Sequence, residues 1–74
     1  MVDQMSTKYG PGLVGRHVQG NFTGNTYVIT CWNKLGYYYD MVTVKTGPKG
    51  ISNPGAEHTM HPEELGDIYV FVDE

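Results

Sequence analysis

Three histidines, His17, His58 and His61, and a single cysteine, Cys31, offer this chain its widest choice of chemistry. His58 and His61 stand three apart, and Cys31, His17 and Glu57 could complete a ligand set. Zinc sites ordinarily use paired ligands at short fixed spacing, because each pair is then preset on one local turn. One cysteine and a histidine pair beside a loop do not make that pattern, and histidines at a loop exit more often cap turns or face solvent. Cys31 with any histidine has the residue types of a thiolate–imidazole nucleophile. It shares its face of the surrounding strand pattern with Tyr27 and Ile29, however, and a buried cysteine behaves as a small hydrophobe. Cys31 is therefore expected in the core. Glu63 and Glu64 are adjacent, so their side chains diverge and cannot act as an acid–base pair. Gly47, Gly50 and Gly55 precede no helix and lack the Lys-Ser/Thr of a phosphate-binding loop. The expectation is a protein that is not an enzyme, with no catalytic residue, no metal ligand and no cofactor.

The elements that position these residues are strands. Thr26 to Asn33 sets Tyr27, Ile29 and Cys31 against Thr26, Val28, Thr30 and Trp32, and its β-branched content disfavours a helix. Asn33-Lys34-Leu35-Gly36 then turns the chain, with Gly36 suited to a left-handed conformation. Tyr37 to Lys45 follows, with Tyr37, Tyr39, Met41 and Thr43 on one face and Tyr38, Asp40, Val42 and Val44 on the other. The two runs form a β-hairpin. Leu13 to Val18 reads as a first strand, Gln19 to Asn25 as a loop, and Ile68 to Val72 as a last strand. Residues 46–57 hold three Gly and two Pro without periodicity, a connection long enough to be functional or mobile. At 61–66, Pro62 suits a first helical position, the two glutamates favour the positive end of the dipole, and Gly66 can close the turn.

Seventy-four residues make one small domain, read as a flexible tail over 1–9 and a single domain over 10–74. A chain of this length buries only about 60% of its unfolded surface, so disulfides, metals or partner subunits commonly reinforce such domains. One cysteine cannot close an internal disulfide. With no secretory pattern, it points to a reducing, cytoplasmic setting. No apolar run reaches the ~20 residues needed to span a bilayer. The net charge of −3 is unevenly spread. All five Lys and Arg precede residue 50, whereas six of the eight acids follow it. A solvated acidic end is the simpler explanation; a polar molecule presenting opposite faces to a partner, or to its own copy, is the sharper one.

Strand, loop, hairpin, long loop, single helical turn and final strand, over residues 10–72, resemble the SH3-like small β-barrels in element order. The resemblance implies an all-β fold, a small SH3-like barrel of about five antiparallel strands with one helical turn before the last. The ALYDY-type segment and the proline-reading positions of SH3 domains are absent, so only architecture is carried over. Small barrels of this kind bind peptides, proteins or nucleic acids, and the architecture alone does not choose among them.

The aromatics sharpen the choice. Five of the nine fall within residues 25–44 and occupy both faces of the hairpin. If Ile29, Val42 and Val70 fill the interior, then Trp32, some of Tyr37–Tyr39, and Tyr69 or Phe71 lie outside or on a rim. Tyr and Trp favour interfaces because they bring large area at low entropic cost together with a polar tip. Trp32, Lys34, Tyr37 and Tyr39, with Tyr69 and Phe71 as a second cluster, are the expected protein-binding residues, and the 46–57 loop is expected to extend the patch. The alternative is that the rings cover the domain's own open ends. Arg16, Lys34, Lys45 and Lys49 near stacking rings also allow a nucleic-acid-binding barrel, but net negative charge opposes phosphate binding. The expected function is a small non-catalytic protein-binding module acting on a partner or by self-association, of the accessory or inhibitor type that phages make. A nucleic-acid-binding barrel is the alternative, and a small metal-binding protein the third.

Overall fold

The computed structural model describes residues 10–50 and 53–72. A 3₁₀ turn at Pro11–Leu13 leads into β1 (His17–Gly20), β2 (Thr26–Asn33), β3 (Tyr38–Lys45) and β4 (Glu57–Met60). A second 3₁₀ turn, Pro62–Glu64, delivers β5 (Tyr69–Phe71). The five strands form one antiparallel sheet in the order β4-β3-β2-β1-β5. The fold is all-β as expected, but the sheet ends in two edge strands and does not close. The expected tail over 1–9 lies outside the described residues.

Several boundaries differ from the sequence reading. The first strand is expected at Leu13–Val18, yet Pro11 fixes a backbone angle suited to a tight turn, and the strand begins only at His17. It runs on through Gln19 and Gly20, which the sequence reading assigns to a loop. Gly20 sits beneath two rings: a Cβ there would stand 3.5 Å from Tyr69 and 3.7 Å from Tyr27. The expected loop over 46–57 ends one residue early, because Glu57 begins β4, whose EHTM sequence carries little apolar signal. The turn after it is a 3₁₀ turn with Pro62 at its start and Gly66 at φ 90° beyond it, close to the expected form.

Among the described residues the core is Val18, Tyr27, Ile29, Tyr39, Met41 and Met60, with Leu13, Trp32, Leu65, Tyr69 and Phe71 packed against it. This reverses part of the sequence assignment. Val42 and Val70 are half-buried on the opposite face, and Tyr39 and Met41 of β3 fill the interior instead, beside Tyr27 and Ile29. Alternation divides a strand into two faces, but when both faces carry apolar residues it does not say which face turns inward. Tyr27 is the hub of the packed rings. His58 meets it edge-on at 5.0 Å between centroids, and Tyr69 does so at 5.6 Å. Burial, then the neighbouring Tyr27 and Glu64, raise the Tyr69 phenol above its ordinary value of 10.0. Beside Tyr27, Thr43 Oγ1 and His58 Nε2 are buried without a hydrogen-bond partner among the described residues.

At the far end of the β2–β3 hairpin the loops are locked by Asn25, which is buried. Its Oδ1 accepts the Gly47 N–H at 2.6 Å, and its Nδ2 donates to the Tyr27 hydroxyl at 3.3 Å. Gly47 is required there, since a Cβ would collide with the backbone of Thr23 and Gly24.

Candidate functional site

A β-bulge shapes the other end of the hairpin. Ile29 lies opposite Met41 and Cys31 opposite Asp40, so Thr30 is an extra residue on β2. Its hydroxyl donates to the Asp40 carbonyl at 3.1 Å. One inserted residue shifts the alternation by one, so the interior set continues at Trp32 and not at Cys31. Cys31 is exposed, which corrects its expected place in the core.

Trp32 lies opposite Tyr39, with ring centroids 4.5 Å apart and the planes tilted by 46°. Tyr39 is 0% exposed, and its hydroxyl donates to the Gly10 carbonyl at 3.1 Å while accepting the Gly10 N–H at 2.5 Å. The expectation that Tyr39 belongs to an exposed patch is thereby corrected: its ring is core, and its polar tip is used to tie down the entry to the domain.

The turn between the strands spans four residues, because Asn33 and Tyr38 are the last pair in register. The Asn33 side chain holds it, accepting the Gly36 N–H at 2.9 Å and donating to the Tyr38 hydroxyl at 3.0 Å. Gly36 is present for space and not for a left-handed backbone: a Cβ would collide with the Tyr38 ring. Tyr37 takes the left-handed conformation instead, at φ 55°, and is the one non-glycine residue with positive φ among those described. A bulky side chain there costs of order 1–2 kcal/mol. The Tyr37 ring stands edge-on to Trp32 at 5.2 Å and remains 56% exposed. Leu35, on the same turn, is 99% exposed.

A groove of 400 Å³ runs beside this turn, lined by Gly36 and Tyr37 on one side and by His61, Pro62 and Glu63 on the other. Pro62 is buried and forms a firm wall. The His61 N–H donates to Glu64 Oε1 at 3.2 Å, and the His61 ring lies 6.0 Å from that of Tyr38. Of the residues singled out from sequence, the structure thus brings Trp32, Lys34 and Tyr37 together at one end. Leu35, His61, Pro62 and Glu63 complete the surface and were not among the expected binding residues. An apolar leucine at a hairpin tip, between Lys34 and Gly36, was the available signal.

Tyr69 and Phe71 lie elsewhere, on the edge strand beyond β1. Tyr69 faces Gly20 across the ladder, and Phe71 faces Val18 with the Arg16 guanidinium 4.3 Å from its ring centroid. The 46–57 connection does not extend the turn surface either. It leaves β3 at the opposite end, ~25 Å away along an eight-residue strand. Residues 51 and 52 of it lie outside the described residues.

A second cleft, of 640 Å³, opens on the face of β3 and β4 turned away from the core. Thr30, Asp40, Val42, Glu57 and Thr59 line it. Its two carboxylates make it a poor host for phosphate. Among the described residues, no group of three or more His, Cys, Asp or Glu is placed to hold a metal ion. His58 packs on Tyr27, whereas His61 lies beside Tyr38 at the start of the 3₁₀ turn. No helix of the described residues is long and apolar enough to cross a membrane. Comparison with protein-family models, with characterised proteins and with solved structures gave no match to this chain.

Proposed function

We propose that this protein is a small non-catalytic protein-binding module of SH3-like barrel architecture, and that it makes contact through the β2–β3 turn and the adjoining groove. The observation that carries this reading is the pairing of an almost fully exposed Leu35 with a half-exposed Tyr37 on strained backbone, beside a groove backed by the buried Pro62. Isolated exposed apolar residues are ordinary on protein surfaces. Apolar residues clustered at a concave site, with backbone strain, are what a contact surface requires. The element order, five antiparallel strands with a 3₁₀ turn before the last, supports the SH3-like architecture. The cytoplasmic setting and the phage-type accessory or inhibitor role belong to the same proposal.

Charge placement supports a protein over a nucleic acid. Of the exposed lysines in the described residues, Lys34 sits on the turn, whereas Lys45 and Lys49 follow from the opposite end of β3. They do not form one basic track beside the rings, as backbone binding needs. Affinity capture from a lysate of the source, with nuclease treatment and with Leu35→Ser and Tyr37→Gly variants, tests the reading. A nuclease-resistant protein partner, lost in both variants while their circular dichroism is unchanged, is the expected result. Retention abolished by nuclease would replace it with the nucleic-acid reading.

A further inference from the structure

Leu35, almost fully exposed, directly precedes Gly36 and Tyr37, which form the near wall of the groove. A projecting apolar side chain and a recess are thus adjacent in the chain. Charge follows the same arrangement. Lys34 flanks the projection and Glu63 lines the recess, both exposed, and neither is engaged in an ion pair among the described residues. A surface that carries a knob with a positive neighbour and a hole with a negative one is complementary to itself under a two-fold rotation. Such a rotation fills both recesses and pairs both charges in one step.

We propose that this turn is an isologous contact between two copies of the chain, with Leu35 of each copy in the groove formed by Tyr37, Pro62 and Glu63 of the other, and Lys34 against the second copy's Glu63. The proposal rests on the reading of this turn as the contact surface and names its partner. The size of the domain agrees with it. Among the described residues the core holds five fully buried apolar side chains and Tyr27 at 5% exposure, and small domains commonly gain stability by association. Tyr37 is then held on left-handed backbone because that conformation turns its ring into the wall of the recess.

Sedimentation velocity of the full chain over a concentration series, from micromolar to about millimolar, tests the proposal. A reversible dimer is expected. Leu35→Ser should weaken it at least about thirtyfold, as for a central apolar anchor. Leu35 is outside the core, so circular dichroism should be unchanged. Lys34→Glu and Glu63→Lys should each yield monomer. The double variant K34E/E63K should recover the dimer, and mixing the two single variants should give a heterodimer. A monomer at every concentration overturns the proposal, as does a dimer indifferent to Leu35 and to both charge reversals. If the chain is monomeric while capture of another protein still depends on Leu35, the second copy is excluded and the contact surface stands. If capture is independent of Leu35 as well, both fail.

Discussion

The two ends of the β2–β3 hairpin solve the same problem in opposite ways. At the Asn25 end, two loops approach closely and direct their polar atoms inward. Asn25 bonds Gly47 and Tyr27, and the glycine at 47 lets the backbones nearly touch. At the Asn33 end, one amide side chain holds the turn from within, and the apolar groups Leu35 and Tyr37 are left outside. The contrast is sharpest between Tyr37 and Tyr39. Both rings contact Trp32, but one is half in solvent and the other has none of its surface exposed. A domain with so small a core would be expected to bury apolar surface wherever it can. The lesson is that one end of the hairpin is closed for stability, and the other is kept apolar and open at a cost in backbone strain.

That contrast can be broken first at Tyr39. Tyr39→Ala should lower stability by about 3–5 kcal/mol, since it removes a core ring and leaves the Gly10 backbone groups without their partner. Tyr37→Gly should change it by less than about 1 kcal/mol, because loss of the ring contact is offset by relief of the left-handed backbone. Urea denaturation of the two variants side by side reads the difference, and equal losses would mean that Tyr37 is part of the core.

The locked end can be opened next. Asn25→Ala strands the Gly47 N–H and removes a bond to Tyr27, and should cost about 1–3 kcal/mol in the same measurement. Beside it, Thr43→Val should raise stability by about 1 kcal/mol, because it removes a buried hydroxyl that has no partner among the described residues while keeping the shape of the side chain. A loss in that variant would show that the hydroxyl is satisfied in solution.

The smallest effect is expected at Cys31, where the bulge puts the thiol outside. Native protein should react with a thiol reagent at nearly the rate of denatured protein, and Cys31→Ser should alter stability by no more than about 0.5 kcal/mol. Protection of the thiol in the native state would mean that the bulge at Thr30 is absent and the alternation runs unbroken.

Residue types and their spacing were enough to establish the all-β class, the hairpin, the final strand and the turn at Pro62. Those features are local, since β-branched alternation, a Gly-containing turn and a proline followed by two glutamates act over a few residues. Three residues of the candidate surface were legible in the same way, Trp32, Lys34 and Tyr37 in a single stretch of chain. Three things were decided only by tertiary structure. Which face of a strand turns inward depends on what packs against it, so Tyr39 and Met41 fill the core where Val42 was expected. The bulge at Thr30 depends on the pairing of β2 with β3, and it alone exchanges Cys31 for Trp32. The groove needs Pro62 and Glu63 beside Tyr37, residues some 25 positions apart, which meet because β4 pairs with β3 at Tyr39 and Met60 and so carries the following turn to the hairpin tip. A short, polar edge strand such as β4 leaves almost no periodic signal, because only His58 and Met60 face the core and its partner strand supplies the rest of its stability.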